Sequence, residues 1–282
     1  MWRSRLVPYL LIAPSLLFLM ALFAWPLAET TLAAFTDDSG YTLGFVKKMA
    51  ADSNFRLSLK NTILLVAIVV PLQIVFALVL SMLLSKIERG RFTYLYIWTI
   101  PLGISDLAAG LAWLAIFTER GYLNSALSGL GLISGPANWL SYQQPAALFL
   151  AIVVAEIWRA TPIVLVILVA GLGLIPKEYD EAAKVFGASA WKRFTVITLP
   201  LLKPSLQTAL ILRTVMALEV FAMVFALAGR DFPILVGEAY QWQNLYQNTN
   251  MAAAYALVIL VLSIIATVVY LRVLRVPKET LA

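Results

Sequence analysis

The chain has 282 residues, of which 62% are hydrophobic and only 13% charged, with a formal net charge of +6. Soluble domains carry about 25% charged residues to cover their cores, so this composition excludes a soluble enzyme and points to a chain solvated by lipid. Cysteine and histidine are both absent, which removes thiol catalysis, disulfides, His- or Cys-based metal sites and most imidazole acid–base chemistry.

Six stretches have the roughly 20 apolar residues that a membrane crossing needs. They fall near 8–31, 61–84, 92–117, 146–170, 204–228 and 251–274, which predicts an all-α, polytopic fold in one membrane domain spanning 1–282. The first follows Arg3 and Arg5, runs longer than a signal-peptide core and shows no small-x-small cleavage site, so it is expected to be an uncleaved helix. With the N-terminus inside, the inner segments hold Arg3, Arg5, Lys86, Arg89, Arg91, Lys177, Lys184, Lys192, Arg193, Lys203, Arg272, Arg275 and Lys278. The outer segments hold Lys47, Lys48, Arg56, Lys60, Arg120 and Arg230. Thirteen basic residues against six predicts both termini in the cytoplasm, and it assigns the positive charge to a membrane face, with no nucleic-acid partner. Trp25, Trp98 and Trp139 stand near proposed span ends, where amphipathic rings favour the interface.

Ionisable groups inside a span cost about 2.5–3.5 kcal/mol each, so they face protein or a wet cavity. The third span has Asp106, the fourth Glu156 and Arg159 flanking Trp158, and the fifth Arg213 and Glu219. Glu156 and Arg159, three residues apart, share one side of a helix. Pro162 is expected to free the carbonyl of Trp158 and to bend the helix there. An indole, a free carbonyl and polar neighbours at mid-depth suit a sugar, whose hydroxyls need donors and acceptors and whose apolar face stacks on a ring. Glu156, Trp158, Arg159, Glu219 and Asp106 are therefore the candidate solute-binding residues. Interhelical ion pairing fits the same charges equally well, and packing is the simpler reading of Trp113.

The inner segment 171–203 reads as more than a connector. Pro176 presets a helix start, and Tyr179, Ala182, Ala183 and Phe186 make an apolar stripe at i, i+3, i+4 and i+7. Gly187 supplies a stop, Ser189 caps a second short helix through Trp191 and Phe194, and Leu199-Pro200 is expected to close the unit. Acidic residues in the first turn, Asp180 and Glu181 among them, complete a docking surface for a soluble partner. The outer segment 229–250 interleaves Tyr240, Trp242 and Tyr246 with amides, which suits either an extracellular partner or sugar or an interfacial belt.

Glu181-Ala182-Ala183, then Gly187, then after nine residues Ile197-x-Leu199-Pro200, resembles the EAA loop of ABC importer permeases. The run Arg5 to Pro14, Trp25-Pro26, Asn61-Thr62, Pro71-Leu-Gln73, Arg89-Gly-Arg91, Pro101, Trp113, Phe117, Asn124 and Asn138-Trp139-Leu140 resembles the upstream permease of maltose-type carbohydrate importers. Asp106 departs from the family's usual proline, and Glu156 from its usual asparagine. The resemblance implies a type I importer permease of the bacterial cell membrane. Its loop (Tyr179, Asp180, Glu181, Ala182, Ala183, Phe186 and Gly187) would seat on an ATPase. The expected partners are a second, homologous permease, two cytoplasmic ATP-binding subunits and an extracytoplasmic sugar-binding protein. Trp158-x-x-x-Pro162 resembles the family's sugar-contacting tryptophan before a proline, and Glu219 falls in its polar fifth-span segment. The implied cargo is a disaccharide or short oligosaccharide of the trehalose or maltose kind. Other small solutes remain open, and an ion-coupled carrier would leave the loop unexplained. The chain has no phosphate-binding G-x-x-x-x-G-K-[ST] segment, so ATP hydrolysis is expected elsewhere, with no catalytic residue, metal or cofactor in this chain.

Overall fold

A lipid-exposed backbone must satisfy its own hydrogen bonds, and in this chain helices do so almost throughout. The computed structural model describes residues 2–87 and 89–275. Lys278, and the side chains of Arg3 and Arg5, lie outside that description.

The chain opens with α1 (Trp2–Leu19), which passes through a π-helical turn at Met20–Ala24 into α2 (Trp25–Ala33). A two-residue antiparallel pair follows, β1 (Thr36–Asp37) with β2 (Gly40–Tyr41), and then α3 (Gly44–Ala51). The long α4 (Ser53–Ser85) buries Thr62, Leu65, Val69, Gln73, Ala77, Ser81 and Leu84 along one stripe at helical spacing. Next come α5 (Arg91–Thr99), a 3₁₀ turn at Ile100–Gly103, α6 (Asp106–Phe117) and α7 (Tyr122–Gly129). The remaining helices are α8 (Pro145–Gly173), α9 (Lys177–Val185), α10 (Ala190–Arg193), α11 (Leu199–Leu218), α12 (Ala222–Ala228), α13 (Leu235–Asn244) and α14 (Thr249–Val273). Among the described residues, five stretches are long and apolar enough to cross a membrane: Tyr9–Ala33, Ser53–Ser85, Pro145–Gly173, Ala190–Leu218 and Thr249–Val273. A further pair, Arg91–Gly103 and Asp106–Gly129, passes the same test together but is bent by 97°, as a broken crossing or a re-entrant segment is.

Two of the expected spans take a different form. The third is not one helix over 92–117. Pro101 and Gly103 tighten the chain into the 3₁₀ turn, Ile104 is extended, and Ser105 starts α6 afresh, its Oγ accepting from the Ala108 N–H at 3.2 Å. The fifth begins earlier than residue 204 and ends earlier than 228. Leu199-Pro200 does not close the loop, because α10 runs on through a π-helical turn at Phe194–Thr198 into α11. That widened turn is closed by the Leu199 N–H on the Phe194 carbonyl, and Pro200, which has no N–H to give, follows directly after it in the same continuous helix. The helix stops at Leu218, and the backbone leaves helical geometry before α12.

The chain divides into two compact units. One comprises the residues up to Leu57 together with Leu235–Leu260. Within it the Asn250 amide donates to the carbonyls of Ala33 (2.9 Å) and Thr36 (2.7 Å), Phe55 meets Tyr255 edge to face, and Lys48 lies over the Trp242 ring. The other comprises Ser58–Ile234 and the segment from Val261. Its core has two parts, one around Val69, Ile152 and Met223 and the other around Ile74, Leu165 and Leu202. There α6 packs on α12, and α8 on α11. Small residues permit both approaches: a Cβ on Gly110 would stand 2.7 Å from that of Ala226, and one on Gly171 would stand 2.6 Å from that of Ser205.

Candidate functional site: an intramembrane charge network and a capped loop

Four helices of the second unit bring polar side chains together inside the bundle. Glu156 on α8 is 1% exposed and Arg213 on α11 is fully buried. A charge in that environment is tolerable only if it is paired and hydrogen-bonded. Arg213 Nη2 donates to Glu156 Oε1 and Arg213 Nε to Gln73 Oε1 on α4, both at 2.5 Å. Gln73 Nε2 in turn donates to the backbone carbonyl of Glu156 at 2.7 Å. From the other side Arg159 forks onto Glu156, with Nη2 to Oε1 at 3.0 Å and Nε to Oε2 at 3.2 Å. Its Nη1 reaches across to Asp106 Oδ1 at 2.7 Å. Two carboxylates and two guanidiniums thus balance. Arg213 Nη1 is the one nitrogen of the network that lacks a partner among the described residues.

Asp106 opens α6, where the N-terminal end of the helix favours a carboxylate, and its side chain is 44% exposed. The network therefore grades from a sealed end at Arg213, through the largely covered Arg159, to an accessible end at Asp106. Trp158, between the two α8 charges, is 38% exposed. Its ring stands edge to face against Trp113 at 5.9 Å, and Trp113 stacks on Phe117 at 5.2 Å. α8 continues through Pro162 to Gly173 without a break.

The structure thus brings Asp106, Glu156 and Arg159 into one cluster with Trp158 beside it. Glu219 does not join them: it is exposed where α11 ends, and it forms no ion pair with a described residue. Gln73 is the participant that residue-by-residue reading missed as a site residue. A lone amide on the buried stripe of an apolar helix was the available signal. Asn124 has a structural part: its amide donates to the Glu119 and Ala137 carbonyls, and its Oδ1 accepts from the Ala137 N–H and the Trp139 indole N–H. Trp139, expected at the interface, is held to this clasp.

At the end of α8 the loop is built by capping. α9 closes in a Schellman arrangement, with the Gly187 N–H on the Lys184 carbonyl and the Ala188 N–H on the Ala183 carbonyl, both 2.9 Å. Gly187 has φ +74 and an open Cβ direction, so the left-handed backbone is what requires glycine there. Ser189 caps α10 by accepting from the Lys192 N–H at 3.3 Å. Asp180 holds the two helices together, bonded to Lys184 Nζ at 2.6 Å and Arg193 Nε at 2.7 Å. The Lys184 hydrogen bond first, and Arg193 with it, keep the Asp180 carboxyl below its ordinary range. Tyr179 and Phe186, seven residues apart on one side of α9, form an exposed apolar crest; Val185, Trp191, Glu181 and Ala182 are exposed as well, and Ala183 is half-buried. Among the described residues no group of His, Cys, Asp and Glu is arranged to hold a metal ion.

Over 277 residues the chain is 27% identical to the trehalose transport system permease protein of Mycobacterium tuberculosis, covering 95% of this chain and 88% of that protein. It is 35% identical over 218 residues to the trehalose/maltose transport system permease protein of Thermococcus litoralis, 74% of this chain and 71% of that one. Its fold superposes with a TM-score of 0.84, at 19% identity, on a chain of a crystal structure of a bacterial ABC transporter involved in the import of the acidic polysaccharide alginate, covering 97% and 96% of the two chains. A family model matches residues 4–275, and by that match this multi-pass chain belongs to the binding-protein-dependent transport system inner membrane components.

Proposed function

We propose that this chain is one permease subunit of an ATP-driven sugar importer, forming half of a pathway completed by a second, homologous permease. The observation that carries the coupling half of this reading is the Schellman-capped loop. An amphipathic helix ordinarily buries its apolar stripe. Here Tyr179 and Phe186 stand exposed on a rigid element, as a surface awaiting a protein partner does. That partner is a cytoplasmic ATPase, two copies serving the two permeases, with an extracytoplasmic sugar-binding protein on the opposite face and both termini of this chain on the ATPase side. The similarity to trehalose and maltose permeases supports a disaccharide or short oligosaccharide as cargo.

In this reading Trp158 offers a sugar the part of its ring that Trp113 leaves open, and Asp106 supplies the exposed acceptor, held in place by Arg159. Glu156, sealed between two arginines, holds Arg159 in place.

Uptake of radiolabelled trehalose and maltose in a strain deleted for this chain tests the proposal. Re-expressed wild type is expected to restore uptake of at least one of the two sugars. Trp158→Ala, which removes a stacking contact of about 1 kcal/mol, should assemble normally yet transport less. No sugar-uptake defect on deletion would overturn the cargo. Unchanged uptake by Trp158→Ala across sugar concentrations would remove the ring from the site.

A further inference from the structure

A cavity of about 690 Å³ lies beneath α9, where α4 and α8 end and α5 begins. Its walls are strongly basic: Lys86, Arg91, Lys177, Lys184 and Arg193 line it, against only Asp180 and Glu181. Asp180 is already engaged by Lys184 and Arg193. Lys86, Arg91 and Lys177 form no ion pair with a described residue.

The orientation of α9 sharpens the point. Lys177, Asp180, Glu181 and Lys184, at i, i+3, i+4 and i+7, form its polar stripe, and all four line the cavity, while the apolar Tyr179 and Phe186 stand exposed. A surface helix normally turns its polar stripe to water. This one turns it toward a half-open, positively charged recess at the end of α4 and α8, two helices long and apolar enough to cross a membrane, the depth at which lipid headgroups sit.

We propose that this cavity is a phosphate-binding site that takes the headgroup of an anionic phospholipid. The ammonium groups of Lys86 and Lys177 and the guanidinium fork of Arg91 match phosphate oxygens. The volume exceeds what a bare phosphate ion needs, and Leu172 and Phe194 give apolar wall for the glycerol and ester carbons. The site faces away from the exposed crest, so headgroup and protein partner occupy opposite sides of the same helix. It does not depend on the identity of the transported solute.

Native mass spectrometry of the full-length chain, extracted in its complex from membranes containing phosphatidylglycerol, cardiolipin and phosphatidylcholine, tests it. Wild type is expected to retain an anionic lipid in preference to phosphatidylcholine. The pair Lys86→Gln with Arg91→Gln should lower that occupancy at least about fivefold, while Arg272→Gln outside the cavity leaves it unchanged. If the pair does not assemble, Lys177→Gln alone at the exposed start of α9 is read in the same way. A parallel arm adds inorganic phosphate to delipidated protein and follows the melting temperature. A phosphate-dependent rise that the cavity variants abolish, with no lipid retained, would keep the phosphate site but overturn its lipid source. Equal lipid retention by wild type and variants, with no phosphate response in either, would overturn the site altogether.

Discussion

Glu156 and Arg213 are each tolerable inside the bundle only because the other is present. Glu156 accepts from both arginines, and Arg213 is spread over Glu156 and Gln73. Removing one member of such a buried pair strands the other charge, at a cost of about 3–5 kcal/mol, whereas removing both at once avoids most of that penalty. Glu156→Gln and Arg213→Gln are therefore each expected to reduce the yield of folded chain sharply, and the double variant should recover a large part of it. Fluorescence-detected size-exclusion of detergent extracts reads this directly, and a double variant no better than the worse single one would contradict the coupling. Asp106→Asn, at the exposed end, should cost far less. Only part of this network is legible in the chain. Glu156 and Arg159 are three residues apart, so helical geometry alone puts them on one side. Arg159 lies 53 residues from Asp106, and Arg213 lies 140 from Gln73, so those partnerships arise only when the helices pack.

Elements built by capping follow from local chemistry, and here the reading of 171–203 as helix, glycine stop and serine-capped helix rests on residues within a few positions of each other. Gly187 is required for its backbone angle, not for space. An asparagine, which visits the left-handed region more readily than other side chains, should thus serve better than an alanine or a leucine. Gly187→Leu is expected to strain the Schellman cap by about 1–2 kcal/mol and to weaken ATPase stimulation while insertion is preserved, and Gly187→Asn should stay near wild type. Equal behaviour of the two in a reconstituted hydrolysis assay would refute the angular requirement. The helix breaks were harder to read. Pro101, Gly103 and Ser105 supply the local break but are each also found in apolar spans, and the close packing of α6 on α12, which Gly110 allows, is not visible in the chain. Likewise the π-helical turn at Phe194–Thr198 carries the chain past Leu199-Pro200, a pair whose local chemistry signals a stop.

For the whole molecule, hydropathy carries the all-α membrane architecture because the bilayer imposes length and apolarity on every crossing. Its orientation rests on the distribution of basic residues, which predicts 171–203 on the inner side. Single cysteines at Ser39, Ser134 and Ser189 test this in a chain that has no cysteine of its own. An impermeant thiol reagent applied to intact cells should label the first two and spare the third, and labelling at position 189 would reverse the orientation. The charge network has a further consequence for motion. Moving α8 and α11 apart at this level would strand Glu156 and Arg213, both buried, without the partner that offsets each charge. The two helices are thereby tied at this level, and any rearrangement of the bundle that keeps both charges paired moves α8 and α11 together.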